Sequence, residues 1–233
     1  DVSHELRTPL TTIRMASDVI FSARESFDPI IARSAELLLS QIERFENLLA
    51  DLLEVSRFDA EVASLSLDKV DVVALVNRCA NDLGLASKDS VTELNINTPD
   101  SSIVIDADPR RVERIMRNLL ANAVDHSEGK PINIKVRANE SAVSISVRDF
   151  GVGLAPQHIE RVFDRFWRAD PSRSRIRGGT GLGLSIARED AELHGGGIKV
   201  WGEIGNGSNF VLTLPRVHGV NIVEPALSEV PTE

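Results

Sequence analysis

The sequence predicts two domains of different class in series: a helical hairpin over residues 1–62 and, beyond a linker at 63–67, an α/β sandwich over 68–216. Three observations carry this. An apolar seam with heptad spacing runs from Ile31 to Leu52, the pattern changes near residue 62 to alternating helix and strand, and 233 residues suffice for two cores. Residues 217–233 hold proline and acids without useful periodicity, and are expected to form a loose, disordered tail.

In the first domain Ile31, Ala35, Leu38, Ile42, Phe45, Leu49 and Leu52 alternate at spacings of four and three, the pattern of a helix packed in a bundle. Leu6, Leu10, Ile13 and Ile20 carry a weaker stripe through the preceding segment. The stretch "ESFDPI" separates the two, with Asp28 as N-cap and Pro29 at the first helical position. Two helices hide only one face each, so such a hairpin is expected to pair with a second copy in a four-helix bundle. Twelve acids against six arginines give residues 1–62 a net charge of −6, read as a solvated bundle exterior.

The second domain opens with a helix at "VDVVALVNRCANDLG", then strands at "VTELNIN" and "SIVIDA". "DPRRVERIMRNLLANAVDHS" reads as a long helix, with Asp108 as N-cap and Pro109 behind it. "PINIKVRA" and "AVSISVRD" alternate with period two and predict a strand pair around "NESA". A glycine-punctuated loop, a short helix near 156–164, an arginine-rich loop, a helix over about 182–194 and the strands "GIKVWG" and "SNFVLTLP" follow. Helices are expected on one face of the sheet.

Composition excludes several function classes. The net charge of −9 argues against a general nucleic-acid binder. Cys79 is the only cysteine, which excludes an internal disulfide framework and fits a reducing compartment. No run of about 18 apolar residues is present to span a membrane. The chain opens without an initiator methionine, inside an expected helix, and is read as a piece of a longer protein.

Four stretches carry candidate chemistry. "SHELRTPL" places His4, Glu5 and Thr8 together, although a lone His–Glu pair on a helix is usually only solvated. On the long helix Asn118 and Asn122 are one turn apart; they read either as surface amides or as oxygen donors for a hard cation beside phosphates. "DFGVGL" sets Asp149 at a strand end before Gly151 and Gly153, as in a tight turn or in a loop whose backbone approaches a flat ligand while the carboxylate accepts from an exocyclic amine. "GGTGLGLSIA" leads four glycines into a helix whose free N–H groups suit a polyphosphate. It is neither a P-loop nor a confident dinucleotide fingerprint. Between the glycine clusters, six arginines against Asp164 and Asp170 give residues 161–177 a net of +4. A mobile lid that gathers phosphate charge fits better there than a nucleic-acid patch. Phe163 and Phe166 are expected to pin its base to the core.

"SHELRTPL", "NLLANAVDHS", "DFGVGL", "VFDRFWR" and "GGTGLGLSIA" occur in an order and spacing that resembles the catalytic core of two-component sensor histidine kinases, over roughly residues 1–215. The resemblance implies a dimerisation and phosphotransfer hairpin, followed by the ATP-binding fold shared with chaperone, topoisomerase and mismatch-repair ATPases. It makes His4 the phosphoacceptor, Glu5 the acid that orients it, and Thr8 the hydroxyl linked to regulator dephosphorylation. It further implies Asn122 as Mg²⁺ ligand, Asn118 in support, Asp149 as adenine reader, and Gly151, Gly153, Gly179, Gly181 and Gly183 as loop glycines. ATP and Mg²⁺ are the implied cofactors, with a homodimer and a response-regulator receiver domain as partners. The parent protein is expected at the cytoplasmic side of a membrane, anchored through segments outside this chain.

One position departs from the family pattern. Asp125 and His126 stand where a cation followed by an aromatic residue is common. Asp125 is therefore expected to point away, with Arg165 or a lid arginine supplying positive charge. Two other readings remain open on the sequence: an ATP-hydrolysing clamp, and a dimeric scaffold with a degenerate nucleotide site.

Overall fold

A computed structural model describes residues 2–59, 64–84, 92–169 and 180–231; the side chains of residues 2–7, 57 and 59 lie outside the described part. The chain divides into two compact units, residues 1–62 and 63–233.

The first unit is a hairpin of α1 (Val2–Ser22) and α2 (Pro29–Asp59), joined through a short 3₁₀ turn at Arg24–Ser26. Asp28 starts α2: its carboxylate accepts the Ile30 N–H at 2.9 Å, and Pro29 occupies the first helical position. Arg14 spans the pair, contacting Asp18 at 3.1 Å, Glu43 at 3.1 Å and Glu46 at 3.0 Å. α1 runs through Pro9 without interruption, although proline removes the N–H that would bond the Glu5 carbonyl.

The seam of α2 splits into two rows. Ala35 and Ile42, seven residues apart, are 5% and 6% exposed, whereas Ile31, Leu38, Phe45 and Leu52, also seven apart, are 43–55% exposed. One row packs inside the hairpin and the other is left uncovered by it. Leu10, Ala35, Ile42 and Val55 are the buried apolar residues among the described side chains of this unit. Their burial, about 1.5–3 kcal/mol for each larger side chain, does not balance ordering helices of 21 and 31 residues at about 1 kcal/mol or more per residue.

The second unit is an α/β sandwich. Its sheet has five strands in the order β2 (Leu94–Asn97), β4 (Ile132–Ala138), β5 (Ala142–Asp149), β7 (Gly207–Pro215) and β6 (Gly197–Glu203). β2 and β4 are parallel and the other pairs antiparallel. A separate two-stranded sheet pairs β1 (Asp68–Asp71) with β3 (Val104–Ala107). Three helices, α3 (Val72–Asp82), α4 (Pro109–His126) and α5 (Gly183–Leu193), pack on one face of the larger sheet. Alternation sends Ile132, Ile134 and Val136, Val143, Ile145 and Val147, and Phe210, Leu212 and Leu214 into that core. The caps are local: Asp71 accepts from Val73 and Ala74 N–H, and Asp108 from Arg110 and Arg111 N–H. The segment expected as a linker is tied to this unit, with Ser66 N–H on the Asp108 carboxylate at 2.9 Å and Arg111 on the Ser64 carbonyl at 3.3 Å.

Three expectations need correction. The short helix near 156–164 is two separate 3₁₀ turns, Pro156–His158 and Arg161–Phe163, because Pro156 starts one turn and Asp164 is already extended. Phe163 is buried and meets Phe210 edge-on at 6.2 Å, but Phe166 is 60% exposed and pins nothing with its ring. Its backbone holds the loop instead: Phe166 adopts φ +63° and donates its N–H to the Gly181 carbonyl at 2.9 Å. Thirdly, the tail is not loose over its described part. Ala226 N–H bonds Ser144 Oγ at 3.0 Å, the Asn139 amide donates to the Glu224 carbonyl at 3.0 Å, and the Asn209 amide donates to the Glu229 carbonyl at 2.8 Å. The tail needs no periodicity of its own, because polar side chains on the helix-free face of the sheet satisfy its backbone.

Candidate functional site

α4 is the wall on which the site is built. Its apolar residues Val112, Ile115, Met116, Leu119, Leu120 and Ala123 are all buried against the core. That fixes the neighbouring ridge at a spacing of four: Asn118, Asn122 and His126. Each end of this ridge touches one glycine loop.

At the His126 end lies the loop 149–154. Gly151 packs so tightly that a Cβ there would collide with the His126 carbonyl, which also accepts the Val152 N–H at 3.2 Å. Gly153, at φ +71°, lies against the Glu203 carbonyl in the same way. Both glycines thus serve close backbone packing within the protein, the tight turn that the sequence offered beside close approach to a ligand. At the other end a Cβ on Gly183 would stand 3.0 Å from Asn118 Oδ1, so the N-terminus of α5 rests directly on Asn118. Asn122, half-buried, is one turn from each contact.

Asp149 ends β5 and is 1% exposed. One carboxylate oxygen accepts the Gly151 N–H at 2.9 Å; the other accepts the Ser208 hydroxyl at 2.5 Å and the Ser208 N–H at 3.3 Å. Three donors fix its orientation. Ser208 escaped sequence reasoning because only the β5–β7 register, which sets Asp149 opposite Ser208, brings them together.

α5 begins without a side-chain cap on its first amides, while Thr180 Oγ1 accepts the Leu182 N–H at 3.2 Å. Its N-terminus therefore keeps donors of the kind that bind anions. Gly181, at φ +75°, packs on the Phe166 backbone. Arg165 donates to Glu189 of α5 at 2.8 Å, so the charge expected for the phosphates is balanced there by a carboxylate. Asp125 and His126 are exposed. Gly179 and the lid arginines 173–177 lie outside the described residues.

A buried polar cluster, also missed by sequence reasoning, locks α4 to α5. Asp190, with no exposed surface, accepts from Arg111 at 2.7 Å and from Arg114 at 2.7 and 2.8 Å. One turn on, His194 contacts the Asp190 carbonyl through Nδ1 at 2.6 Å and accepts the Asp108 N–H through Nε2 at 3.0 Å. That pairing selects the tautomer protonated at Nδ1. Burial is the main cause holding the His194 pKa below 6.5. Burial acts to raise Asp108, but the amides of Ser66, Arg111 and Arg110 outweigh it and leave that carboxyl below its usual range.

His4, Glu5 and Thr8 all lie on α1 in the first unit, His4 and Thr8 one turn apart on the same face. Thr8 is exposed, and the side chains of His4 and Glu5 lie outside the described residues. Among the described residues no group of three or more His, Cys, Asp or Glu side chains is arranged to hold a metal ion. The polar donors on the α4 ridge are neutral amides, which suit Mg²⁺ when phosphate oxygens complete its shell and do not form a cage alone.

Comparison with known proteins gives two family matches: residues 1–61 match the His Kinase A (phospho-acceptor) domain, and residues 107–218 match the histidine kinase-, DNA gyrase B- and HSP90-like ATPase. The sensor histidine kinase MtrB of Mycobacterium tuberculosis is 52% identical over 227 residues, covering 97% of this chain and 40% of that protein. The signal transduction histidine-protein kinase AfsQ2 of Streptomyces coelicolor is 38% identical, over 93% of this chain and 41% of its own length. The chain thus spans about two fifths of the curated relatives it matches. Among solved structures, full-length ShkA in complex with AMPPNP superposes with a TM-score of 0.78 at 27% identity, covering 94% of this chain and 45% of that one. The Acinetobacter baumannii histidine kinase AdeS shares the fold, with a TM-score of 0.66 at 22% identity over 91% of this chain and 98% of its own.

Proposed function

The chain belongs to the sensor histidine kinases, and from that premise we propose that it is an autokinase core which moves the γ-phosphoryl group of ATP to His4 and then to an aspartate of a receiver domain. The observation that carries the nucleotide half of this reading is the α4 ridge, where Asn118 meets the start of α5 and His126 meets the Asp149 loop. Asp149 accepts from the adenine amino group, held in aim by Gly151 and Ser208. The α5 amides receive phosphate oxygens, and Asn122, with Asn118 in support, would hold Mg²⁺ there. Bound there, the cation supplies charge neutralisation on the triphosphate.

The neutral imidazole of His4 attacks the γ-phosphorus. The bond to the β–γ bridging oxygen breaks, ADP leaves, and Glu5 takes the ring proton. Pro9 deprives the Glu5 carbonyl of its helical donor, which loosens the turn that bears the nucleophile. Thr8, on the same face, positions water for hydrolysis of the receiver's aspartyl phosphate.

The uncovered row Ile31, Leu38, Phe45 and Leu52 supports a homodimeric four-helix bundle. In the parent protein this core works at the cytoplasmic side of a membrane, although among the described residues no helix is long and apolar enough to cross one. Titration calorimetry with ATP, in Mg²⁺ and then in EDTA, tests the nucleotide site. Wild type should bind more tightly with Mg²⁺, and Asn122→Ala should abolish that difference. An Asn122→Ala variant that keeps the full Mg²⁺ dependence contradicts the assignment.

A further inference from the structure

The sheet face opposite the helices is closed by the tail. Ser144 and Asn209 point away from the helix-packed core, yet they are 0% and 3% exposed. Their cover is the segment from Val220 to Pro231, which crosses from the β4–β5 turn toward the β6–β7 turn. It is held by Val223 N–H on Ser141 Oγ at 3.3 Å, by Ala226 N–H on Ser144 Oγ, and by Asn209 on the Glu229 carbonyl. The family match ends at residue 218, so this cover lies beyond it.

The far end of the segment arrives behind Asp149. Val230 and Pro231 line a shallow pocket together with Arg148, Phe150 and Trp201. The Arg148 guanidinium lies 4.8 Å from the Phe150 ring centre and 4.7 Å from that of Trp201, and donates to the Asn206 carbonyl in the β6–β7 turn at 2.5 Å. Arg148 and Phe150 are the sequence neighbours of Asp149. On the partner strand, Asn209 follows Ser208, the residue that clamps the Asp149 carboxylate, and Asn209 also accepts from Ser146 Oγ at 2.6 Å. The tail thus bonds Asn209, the residue next to the clamp of Asp149, and ends at a pocket that the residues on both sides of Asp149 also line, on the sheet face opposite the helices.

We propose that residues 220–231 are a positioning strap, which holds the adenine-reading carboxylate of Asp149 in its binding geometry from behind the sheet. The proposal rests on the assignment of Asp149 as the nucleotide reader. The strap bonds residues on the sheet face opposite the Asp149 carboxylate, so its effect falls on nucleotide affinity while phosphoryl transfer at saturation is spared.

The test uses the full chain beside a variant ending at Val217, Ala226→Pro, which removes the N–H given to Ser144, and Asp149→Asn. Mg-ATP affinity is measured by calorimetry, His4 labelling rate at saturating ATP by acid-labile incorporation, and melting by tryptophan fluorescence. Loss of the strap should weaken Mg-ATP binding at least about fivefold, the low end of coupling between linked sites, with the saturated labelling rate within twofold of wild type. Ala226→Pro should shift affinity in the same direction, and it decides the matter if the truncated chain does not fold. A lowered melting temperature with unchanged ATP affinity makes the segment a structural brace only and overturns the proposal. Unchanged affinity in Asp149→Asn refutes the reading of Asp149 itself, and the strap's role with it; lost affinity in Asp149→Asn with none lost in the strap variants refutes the strap alone.

Discussion

Replacing Asp190 by Ala removes the carboxylate on which α4 and α5 converge. Asp190 accepts three hydrogen bonds at 2.7–2.8 Å, and its own side chain has no exposed surface. The guanidiniums left behind differ: the Arg111 side chain is 13% exposed and keeps the Ser64 carbonyl, while that of Arg114 is 29% exposed and reaches water more readily. Breaking a buried ion pair by removing one partner costs about 3–5 kcal/mol. Partial access to water for both arginines places this case near the lower bound, about 3 kcal/mol. Tryptophan fluorescence isolates the affected domain, because both tryptophans, Trp167 and Trp201, lie in the second unit. With a urea slope of about 2 kcal/mol per molar, the midpoint should fall by about 1.5 M. A fall of less than about 0.5 M refutes the view that this cluster locks the two helices together.

Protonation of His194 gives a pH dependence with a definite sign. Its folded pKa lies below 6.5, so between those values the unfolded chain binds more protons, and stability should be full above about pH 6.5 and fall as pH drops toward the folded value. Urea midpoints at pH 7.5 and 5.5 check this, and His194→Asn should flatten the difference. Gly153→Ala and Gly84→Ala both place alanine at positive φ, +71° and +68°, but only the first drives a Cβ into backbone. Gly84→Ala should cost about 1–2 kcal/mol and spare nucleotide binding, whereas Gly153→Ala should cost more by chemical denaturation and weaken Mg-ATP binding in calorimetry. Phe45→Glu should halve the mass measured by sedimentation and leave the urea midpoint of the second unit unchanged; a dimer that survives it contradicts the bundle interface.

Elements with local signals were legible in the sequence. Asp108 followed by Pro109 gave the start of α4, and period-two alternation gave β4 and β5. The heptad seam was visible too, but not its division into a buried row through Ala35 and Ile42 and an uncovered row through Phe45, since that depends on how one helix packs against another. The glycines were found, yet the reason for Gly151 and Gly153 is a close approach to residues at positions 126 and 203, which no local window contains. Ser208, Asp190 and His194 are ordinary polar residues in sequence, and they gain roles only through strand register and helix packing. The tail was misread because its partners, Ser144 and Asn209, sit on strands whose outward polar residues look like a solvated face.

Transfer of the γ-phosphoryl group from ATP to His4 is the step on which the proposed function turns. The most direct measurement incubates the chain with γ-labelled ATP and Mg²⁺ beside His4→Gln, then treats the product with acid and with base. An autokinase acting through His4 gives label that is lost in acid, kept in base and absent from His4→Gln, with ATP binding retained in that variant. Label that survives acid, or that persists in His4→Gln, contradicts it.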